Sequence, residues 1–588
     1  MVSSRNIKIL SLSFGAILLF WNCKKIEPGR DGGLFLPEGF SSVVVVDSIP
    51  ETVRHMDVTE DNILYAKLRN SKEDGTIAAI QDTDGNGEAN IIQKFGENNE
   101  PQRWSYATAM RIYNGYIYFS SDLVVYRQKL TPGSLVPEGK VEVVLTDDHE
   151  HGKHEHIAKP IAFDGKGNMY VPFGAPSNAC QDPKRTPGTP GMDPCPQLED
   201  HGGIWKFDAD KLGQTQKDGV KYATGIRSVV AMSWNPADDE LYVLMHGRDD
   251  LLRLWPDKYS PWESALLPSE EFLKVTEGSH FGWPYCYYDQ IKGKKVLAPE
   301  YGGDGEIIGR CSEFEDPIIG FPGHWAPNDL VFYQGGQFPK RYKNGAFIAF
   351  HGSTNRSPYP QSGYFIGFVP FKDGKPSGDV EVFADGFAGV DPLVSVRDAV
   401  YRPMGIAFGP DGDMYISDSV KGKIWKVTFN GDRNNFGQEQ LLAMEDRKKL
   451  SHIRTPDEIK DNLISGGLVG GPKAYQTYCS ACHQRDGKGA PGRFPPLTGT
   501  DWVTGDKERL INVVLRGMEG SIKVGDEVYN GMMPQHGFLS DKEIAEVLTF
   551  IRSNFGNEAS AIDEKEVTKS REKLQQSGET GPIKVQTE

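Results

Sequence analysis

This sequence lacks a membrane-spanning run where one is first sought. The apolar stretch from Ile9 to Trp21, broken only by Ser and Gly, stops at thirteen residues, short of the about 20 that a spanning helix needs. A sustained basic stripe is missing too. With 65 Lys and Arg against 81 Asp and Glu, the net charge is −16 and the pI about 5.4, which argues against nucleic-acid binding and leaves the small lysine clusters at Lys448-Lys449 and Lys292, Lys294 and Lys295 as solvated surface. Cysteine is scarce at seven residues, and none follows Cys482, so the second pair that a zinc site on Cys479 and Cys482 would need is absent. No amphipathic helix pattern separates the strand-like segments between residues 36 and 430. With 66 Gly and 38 Pro in 588 residues, the chain reads as two domains, the larger one rich in strands and turns.

What is present starts with Cys479-Ser480-Ala481-Cys482-His483. Two thiols three apart can each add to one haem vinyl group, and the adjacent imidazole is then held under the iron as proximal ligand. A second axial ligand is sought downstream, in Gly531-Met532-Met533-Pro534-Gln535-His536-Gly537-Phe538, ahead of Leu539-Ser540-Asp541 and the periodic apolar run Ile544, Val547, Leu548, Ile551. These segments resemble the distal half of a class I cytochrome c, in which the Met before Pro is the sixth ligand. Met533 is the candidate, with Met532 and His536 as alternatives. The resemblance covers about residues 466–556 and implies one covalent haem c in a small all-α domain.

Arg5 and Lys8 followed by the apolar stretch read as an export signal. Cys23, in Asn22-Cys23-Lys24-Lys25, resembles the lipid-modified cysteine of a bacterial lipoprotein, although Phe20-Trp21-Asn22 departs from the usual small residues and keeps ordinary cleavage open. Residues 1–23 are thus expected to be a lipoprotein-type signal peptide and 24–35 a linker. The protein is then exported to the periplasm or cell surface and held to a membrane by lipid. Export makes the remaining even set of cysteines interpretable. Three pairings exist, and the sequential one, Cys180 with Cys195 and Cys286 with Cys311, closes short loops rich in Pro and Gly.

Between residues 36 and 430 a weak unit recurs: an apolar strand, a Gly or Asp turn, and a strand usually carrying Tyr. Six copies begin at Met56, Met110, Ile161, Met232, Leu330 and Ile406. Repeating strand pairs without intervening helices predict an all-β six-bladed β-propeller, whose loops gather distant residues at one mouth.

Within that region Ala349-Phe350-His351-Gly352-Ser353-Thr354-Asn355-Arg356, followed by Gly363-Tyr364, is similar to a stretch of the glucose and sorbosone dehydrogenases that use pyrroloquinoline quinone (PQQ). Gly225-Ile226-Arg227, His246-Gly247-Arg248-Asp249, Gly282-Trp283-Pro284-Tyr285-Cys286 and Arg402-Pro403-Met404-Gly405-Ile406 follow the same family pattern. The resemblance implies that Arg356 and Arg402 contact PQQ, that Arg227 polarises its reactive carbonyl, and that the main-chain carbonyls of Gly247 and Arg248 hold calcium. Counting back from Ile161 as the family does makes His156 the catalytic base, with His154 second, in a run that also holds His149 and His151. That run could instead bind a transition metal or form a polar loop. Two departures stand out: Ser228 where the family has Asn, and Thr108-Ala109-Met110-Arg111 where a His-Gly pair is common. Separately, Asp82, Asp84 and Asn86 alternate oxygens like the start of an EF-hand loop, but position twelve is Gln93, so a structural calcium site and a solvated turn both remain open.

The resulting expectation is a quinohaemoprotein oxidoreductase. It would oxidise an aldose or related hydroxy-aldehyde (sorbosone/glucose type) with PQQ and calcium, then pass single electrons through haem c to an external cytochrome or quinone pool. A nonenzymatic glycan- or protein-binding propeller carrying a cytochrome is the alternative, and a hydrolase is a weaker third. The linker is placed at 431–465, partly helical, and a polar, disordered tail at 557–588.

Overall fold

The computed structural model describes residues 32–585 apart from 70–74, 97–108, 150–153, 358, 391, 451, 454–469 and 580. The export signal, Cys23, His151 and the last part of the segment joining the two domains, from 454 on, lie outside the described residues.

Among the described residues six sheets of four or five strands form in chain order, antiparallel apart from one edge pair in sheet 2. Sheet 1 comprises Thr52–Val58, Leu64–Arg69, Ile77–Gln81 and Ile91–Phe95. Sheet 2 comprises Met110–Tyr113, Tyr116–Ser120, Val124–Lys129 and Glu142–Thr146, with Gln214–Thr215 added at its edge. Sheet 3 holds Ala162–Phe163, Asn168–Phe173, Gly203–Asp208 and Val220–Thr224, and sheet 4 holds Val229–Asn235, Glu240–Met245, Glu270–Val275 and Ile319–Phe321. Sheet 5 holds Pro327–Phe332, Ala346–Phe350, Phe365–Val369 and Glu381–Ala384. Sheet 6 joins Pro403–Phe408, Met414–Asp418 and Ile424–Phe429 to the first strand of the domain, Phe40–Val46.

The six recurring sequence units are the first hairpins of these sheets, and their registers agree: Met56 pairs with Ala66, Met110 with Phe119, Met232 with Val243, and Ile406 with Ile416. Each hairpin turns on a residue in the left-handed region, namely Asn62, Asn114, Gly165, Asp239, Asn344 and Gly412. Gly, Asn and Asp adopt that conformation at least cost. Middle strands such as Leu64–Arg69 are buried on both faces because neighbouring sheets stack on them. An apolar cluster joins each sheet to the next, and Ala407, Tyr415 and Ile424 of sheet 6 pack into the cluster of sheets 1 and 2. The recurrent tyrosines add a polar handle. Tyr65 Oη donates to the Leu135 carbonyl at 3.0 Å, Tyr118 Oη to Ala209 at 3.0 Å and Tyr242 Oη to Gly374 at 2.8 Å, each time reaching the next sheet in the series. On the first strands Asp329 of sheet 5 takes a 2.7 Å ion pair from Arg111 of sheet 2 and an amide from Ile406 of sheet 6.

The two disulfides are Cys180–Cys195 and Cys286–Cys311, the sequential pairing. They share one small core with Trp283 and Tyr285, so each cross-link braces the loop that carries the other. Replacing Cys180 and Cys195 by Ser should lower stability by about 3 kcal/mol, as expected for a closed loop of this length. Chemical denaturation of both forms under non-reducing conditions checks it.

The C-terminal region is helical with one addition. Asp541–Ser553 starts at a capping box, in which Ser540 Oγ accepts the Glu543 amide at 3.2 Å and Glu543 accepts the Ser540 amide at 2.9 Å. Its buried face is Ile544, Val547, Leu548 and Ile551. The expected all-α domain is corrected by a hairpin, Met518–Val524 with Glu527–Met533, flanked in parallel by Ile583–Val585. The expectation of a disordered tail is corrected as well. Glu564–Ser577 forms a capped helix whose Val567, with Ile562, enters the domain core, while Arg571 pairs with Asp541 at 2.7 Å. Those two apolar side chains in a polar segment have a partner surface, which composition alone does not reveal. In the linker, Gln438–Arg447 is helical and Arg447 donates to the Val382 and Phe35 carbonyls at 2.7 Å.

Candidate functional site: a haem pocket and a cationic mouth

The haem-binding segment sits where a π-helical turn, Tyr475–Cys479, runs into Ser480–His483. Cys479 and Cys482 are free thiols, kept protonated by burial that pushes them up to about 12 and 11. His483 Nδ1 lies 3.0 Å from the Pro495 carbonyl. Donation there commits one ring nitrogen and leaves Nε2 for a metal, while burial lowers the pKa and keeps the ring neutral. Two adjoining cavities of about 80 and 340 Å³ share Cys479, His483, Met518, Ile522, Met533 and His536. The inner one is walled by Val514, Leu548 and Ile551, an apolar slot suited to a porphyrin face. Met533 lines both cavities, whereas Met532 lines only the outer one and is 42% exposed. His536 also lines both, is buried, and neither ring nitrogen has a partner of hydrogen-bonding geometry. The residues present therefore fit haem c.

In the β-sheet domain, His156, Arg227 and Arg402, which precede the first strands of sheets 3, 4 and 6, share one electrostatic neighbourhood with His246 and Asp249, which follow the second strand of sheet 4, and His351, which follows the second strand of sheet 5. Arg227 is buried, pairs with Asp249 at 3.2 Å, and donates to Asn178 Oδ1 at 2.7 Å and to the Gly247 carbonyl at 2.8 Å. Burial lowers its pKa, and Asp249 opposes that. His156 Nδ1 lies 2.8 Å from the Ala175 carbonyl, which it reaches as a donor, so Nε2 carries the lone pair. Burial first, then the charge of Arg227, holds His156 well below the usual imidazole range. Its neighbour Glu155 is clamped by Arg185 at 2.8 Å, and Arg185 also reaches Asp249 at 3.2 Å. The loop closed by Cys180–Cys195 thus props the segment that bears His156.

Asp249 stands in the quoted motif His246-Gly247-Arg248-Asp249, but sequence reasoning gave it no role. Burial alone would raise its pKa, but Arg227, His324 and Arg185 outweigh it and keep the carboxylate ionised. Asn355 donates to its other oxygen at 2.8 Å. The available signal was chemical: a buried guanidinium needs a counter-ion.

Arg402 donates to the His351 and Gly352 carbonyls and, at 2.9 Å, to His351 Nδ1, while His351 Nε2 lies 2.7 Å from Ser419 Oγ. Among the described residues Arg402 forms no ion pair, and burial lowers its pKa. A guanidinium in that state fits a carboxylate of a polyanionic ligand. Gly352, at φ +74°, holds this loop where a Cβ would come within 2.2 Å of the Tyr364 ring. The Arg356 guanidinium donates to the Pro360, Ala265 and Gly323 carbonyls, which clamps the loop that bears it.

The Gly247 peptide is held from both ends, its amide donating to Glu270 at 3.1 Å and its carbonyl accepting from Arg227. The carbonyl keeps a second lone pair, so it fits a hard cation. The Arg248 side chain is tied to Glu300 in a buried ion pair. His154 Nε2 is at 2.9 Å from the Gly174 carbonyl and His149 Nδ1 at 3.0 Å from Asp147. Far from the mouth, Asp82 accepts the amides of Gly85 and Gly87 at 2.8 Å and Asn86 donates to Asp84. Among the described residues no group of three or more His, Cys, Asp or Glu side chains is arranged to hold a metal ion.

The buried histidines carry a stability signature. His55 and His246 are held to about 4, mainly by burial. The unfolded chain therefore takes up protons below about 6.5 that the folded chain refuses, and stability falls as pH drops from about 6.5 to about 4. Glu270, raised by burial to about 7, acts in the opposite direction between its unfolded value and about 7. Two histidines outweigh one carboxyl, so the melting temperature should decline toward pH 4, as calorimetry across that range would show.

Fold and sites together define a redox protein, a β-sheet domain with a cationic, histidine-bearing mouth joined to a c-type haem domain. The chain belongs to the TrAA12-like family, whose model matches residues 35–430, and its C-terminal part matches the cytochrome c family over residues 468–555. A cytochrome c-552 of Thermus thermophilus is 42% identical over 103 residues, 16% of this chain and 69% of that protein. The cytochrome c subunit of a quinone alcohol dehydrogenase from Gluconacetobacter polyoxogenes is 34% identical over 125 residues, 20% of this chain and 26% of the other. An uncharacterized protein of Borreliella burgdorferi is 29% identical over 218 residues, 37% of this chain, which spans half of that relative's length. By fold, the domain is similar to a Trichoderma reesei family AA12 enzyme (TM-score 0.55, 18% identity, 68% of this chain and 98% of that one). It is also similar to the holo PQQ domain of Coprinopsis cinerea pyranose dehydrogenase (TM-score 0.53, 15% identity, 67% and 97%). Among the described residues no helix is long and apolar enough to cross a membrane.

Proposed function

We propose that this protein is a quinohaemoprotein sugar dehydrogenase, oxidising an aldose or related hydroxy-aldehyde and delivering the electrons through haem c to an external cytochrome or quinone pool. In this reading the six sheets are the blades of a closed propeller spanning residues 36–430, and Arg227, Arg356 and Arg402 hold the quinone. The carbonyls of Gly247 and Arg248 take calcium, and Met533 is the sixth haem ligand. Bound there, PQQ supplies a two-electron hydride acceptor and calcium a Lewis acid. The chain's own part is proton management. His156 Nε2 takes the hydroxyl proton of the sugar carbon that loses hydride, Ala175 fixes the tautomer, and Asp249 balances Arg227 when the imidazolium forms. The observation that carries the reading is His156, held neutral beside Arg227 with its free nitrogen fixed by Ala175. Residues 1–23 act as an export signal with Cys23 as the lipid anchor.

The test is reconstitution with PQQ and calcium followed by a panel of aldoses, reading the reduced-haem absorption band. Reduction by at least one sugar is expected. Quinone binding and haem reduction both missing across the panel would refute the proposal, and saturable glycan binding without reduction would favour a nonenzymatic propeller.

A further inference from the structure

One contact between the two domains bears on electron export. Tyr359 follows the mouth loop, and its ring meets that of Tyr478 at 5.7 Å between centroids, tilted by 41°. Tyr478 directly precedes Cys479 and lines the same cavity as Cys479, Cys482 and His483, next to His536 at 6.4 Å. On the other side, Asn355 donates to Asp249 at 2.8 Å, and the Tyr359 amide donates to the Arg356 carbonyl at 2.9 Å. Asn355 touches the mouth and Tyr359 touches the haem pocket, yet they are four positions apart, a span of at most about 14 Å. The rim of the outer cavity includes Val390, Val394 and Asp398, and Arg493 donates to the Pro392 carbonyl. The walls of the outer cavity therefore come from both domains.

We infer that the Tyr359–Tyr478 ring contact is the electron bridge between the mouth and the haem, an inference that rests on the dehydrogenase reading above. Tunnelling falls exponentially with the gap, and two rings in contact close a gap that water or a void would leave open. The phenols themselves are not oxidised. Each sugar oxidised gives up two electrons and two protons; the electrons would cross singly, each taking one ferric haem iron to ferrous, and the two protons go to bulk water. An external one-electron oxidant such as ferricyanide removes each electron before the next crosses. Arg356 acts here as a positioning residue, since its clamp sets where Tyr359 emerges.

The test uses the full-length holoprotein with Tyr359→Leu and, separately, Tyr359→Phe. Sugar-driven haem reduction should slow by about tenfold or more in the Leu variant and stay near wild type in the Phe variant, which keeps the ring. Turnover with a small dye that accepts electrons directly at the mouth, the haem spectrum, and hydrogen exchange over residues 392–398 should not change. Unchanged haem reduction in the Leu variant overturns the bridge. So does a slowed rate accompanied by faster exchange, since that makes the pair mere packing. A flash measurement separates this inference from the sugar chemistry. With a photosensitiser on Ser353→Cys in quinone-free protein, light-driven haem reduction should also slow in the Leu variant. If it slows while no sugar supports dye turnover, the dehydrogenase reading fails and the bridge stands.

Discussion

His156→Ala is expected to cut sugar oxidation by about a hundredfold to ten-thousandfold, the range that a positioned general base contributes, while quinone binding is retained. The imidazole is neutral because burial and Arg227 disfavour its charged form, and its orientation is set by the Ala175 carbonyl. Removing it deletes the acceptor for the hydroxyl proton and leaves Arg227, Asn178 and Asp249 in their mutual hydrogen bonds. Stopped-flow reduction of the haem and dye-coupled turnover should fall together, whereas quinone titration followed by absorbance should give a nearly unchanged affinity. A variant that turns over normally removes His156 from the mechanism. His154, whose Nε2 is spent on the Gly174 carbonyl, is the control. His154→Ala should act on stability more than on the rate.

Replacing Cys479 and Cys482 together by Ser is expected to abolish covalent haem, seen as loss of the haem stain after denaturing electrophoresis. Haem-dependent electron export should go with it, while dye-coupled oxidation at the mouth persists. Serine hydroxyls do not add to vinyl groups under conditions where thiols do, and no other free thiol exists among the described residues. Persistence of the stained band would place the attachment elsewhere. His483→Ala in the same assay should retain some covalent haem but lose the normal low-spin spectrum, because the proximal ligand is gone.

The haem segment was readable at once because its chemistry is local: two thiols and an imidazole within five residues need no fold to be recognised. The six hairpins were readable for a related reason. Strand pairing at short separation depends on alternation and a left-handed turn residue, both written in consecutive positions such as Phe408 to Met414 around Gly412. The acceptors of Arg356 were not legible because a motif position specifies where a side chain starts and says nothing of which acceptors surround it. The carbonyls of Ala265 and Gly323 come from other parts of the chain. The C-terminal helix was missed because Ile562 and Val567 become meaningful only against the surface that buries them.

The amino-acid sequence by itself pointed to the haem segment, the strand pairs and the sequential disulfide pairing, since each rests on residues close together in the chain. Only the tertiary structure decided which charges meet. Asp249 became the partner of Arg227, Arg185 of the disulfide loop became the prop for Glu155, and Tyr359 came to lie on Tyr478. Those pairings join segments tens to hundreds of residues apart, and burial makes them matter, because a charge or ring removed from water acts on whatever neighbour the packing supplies.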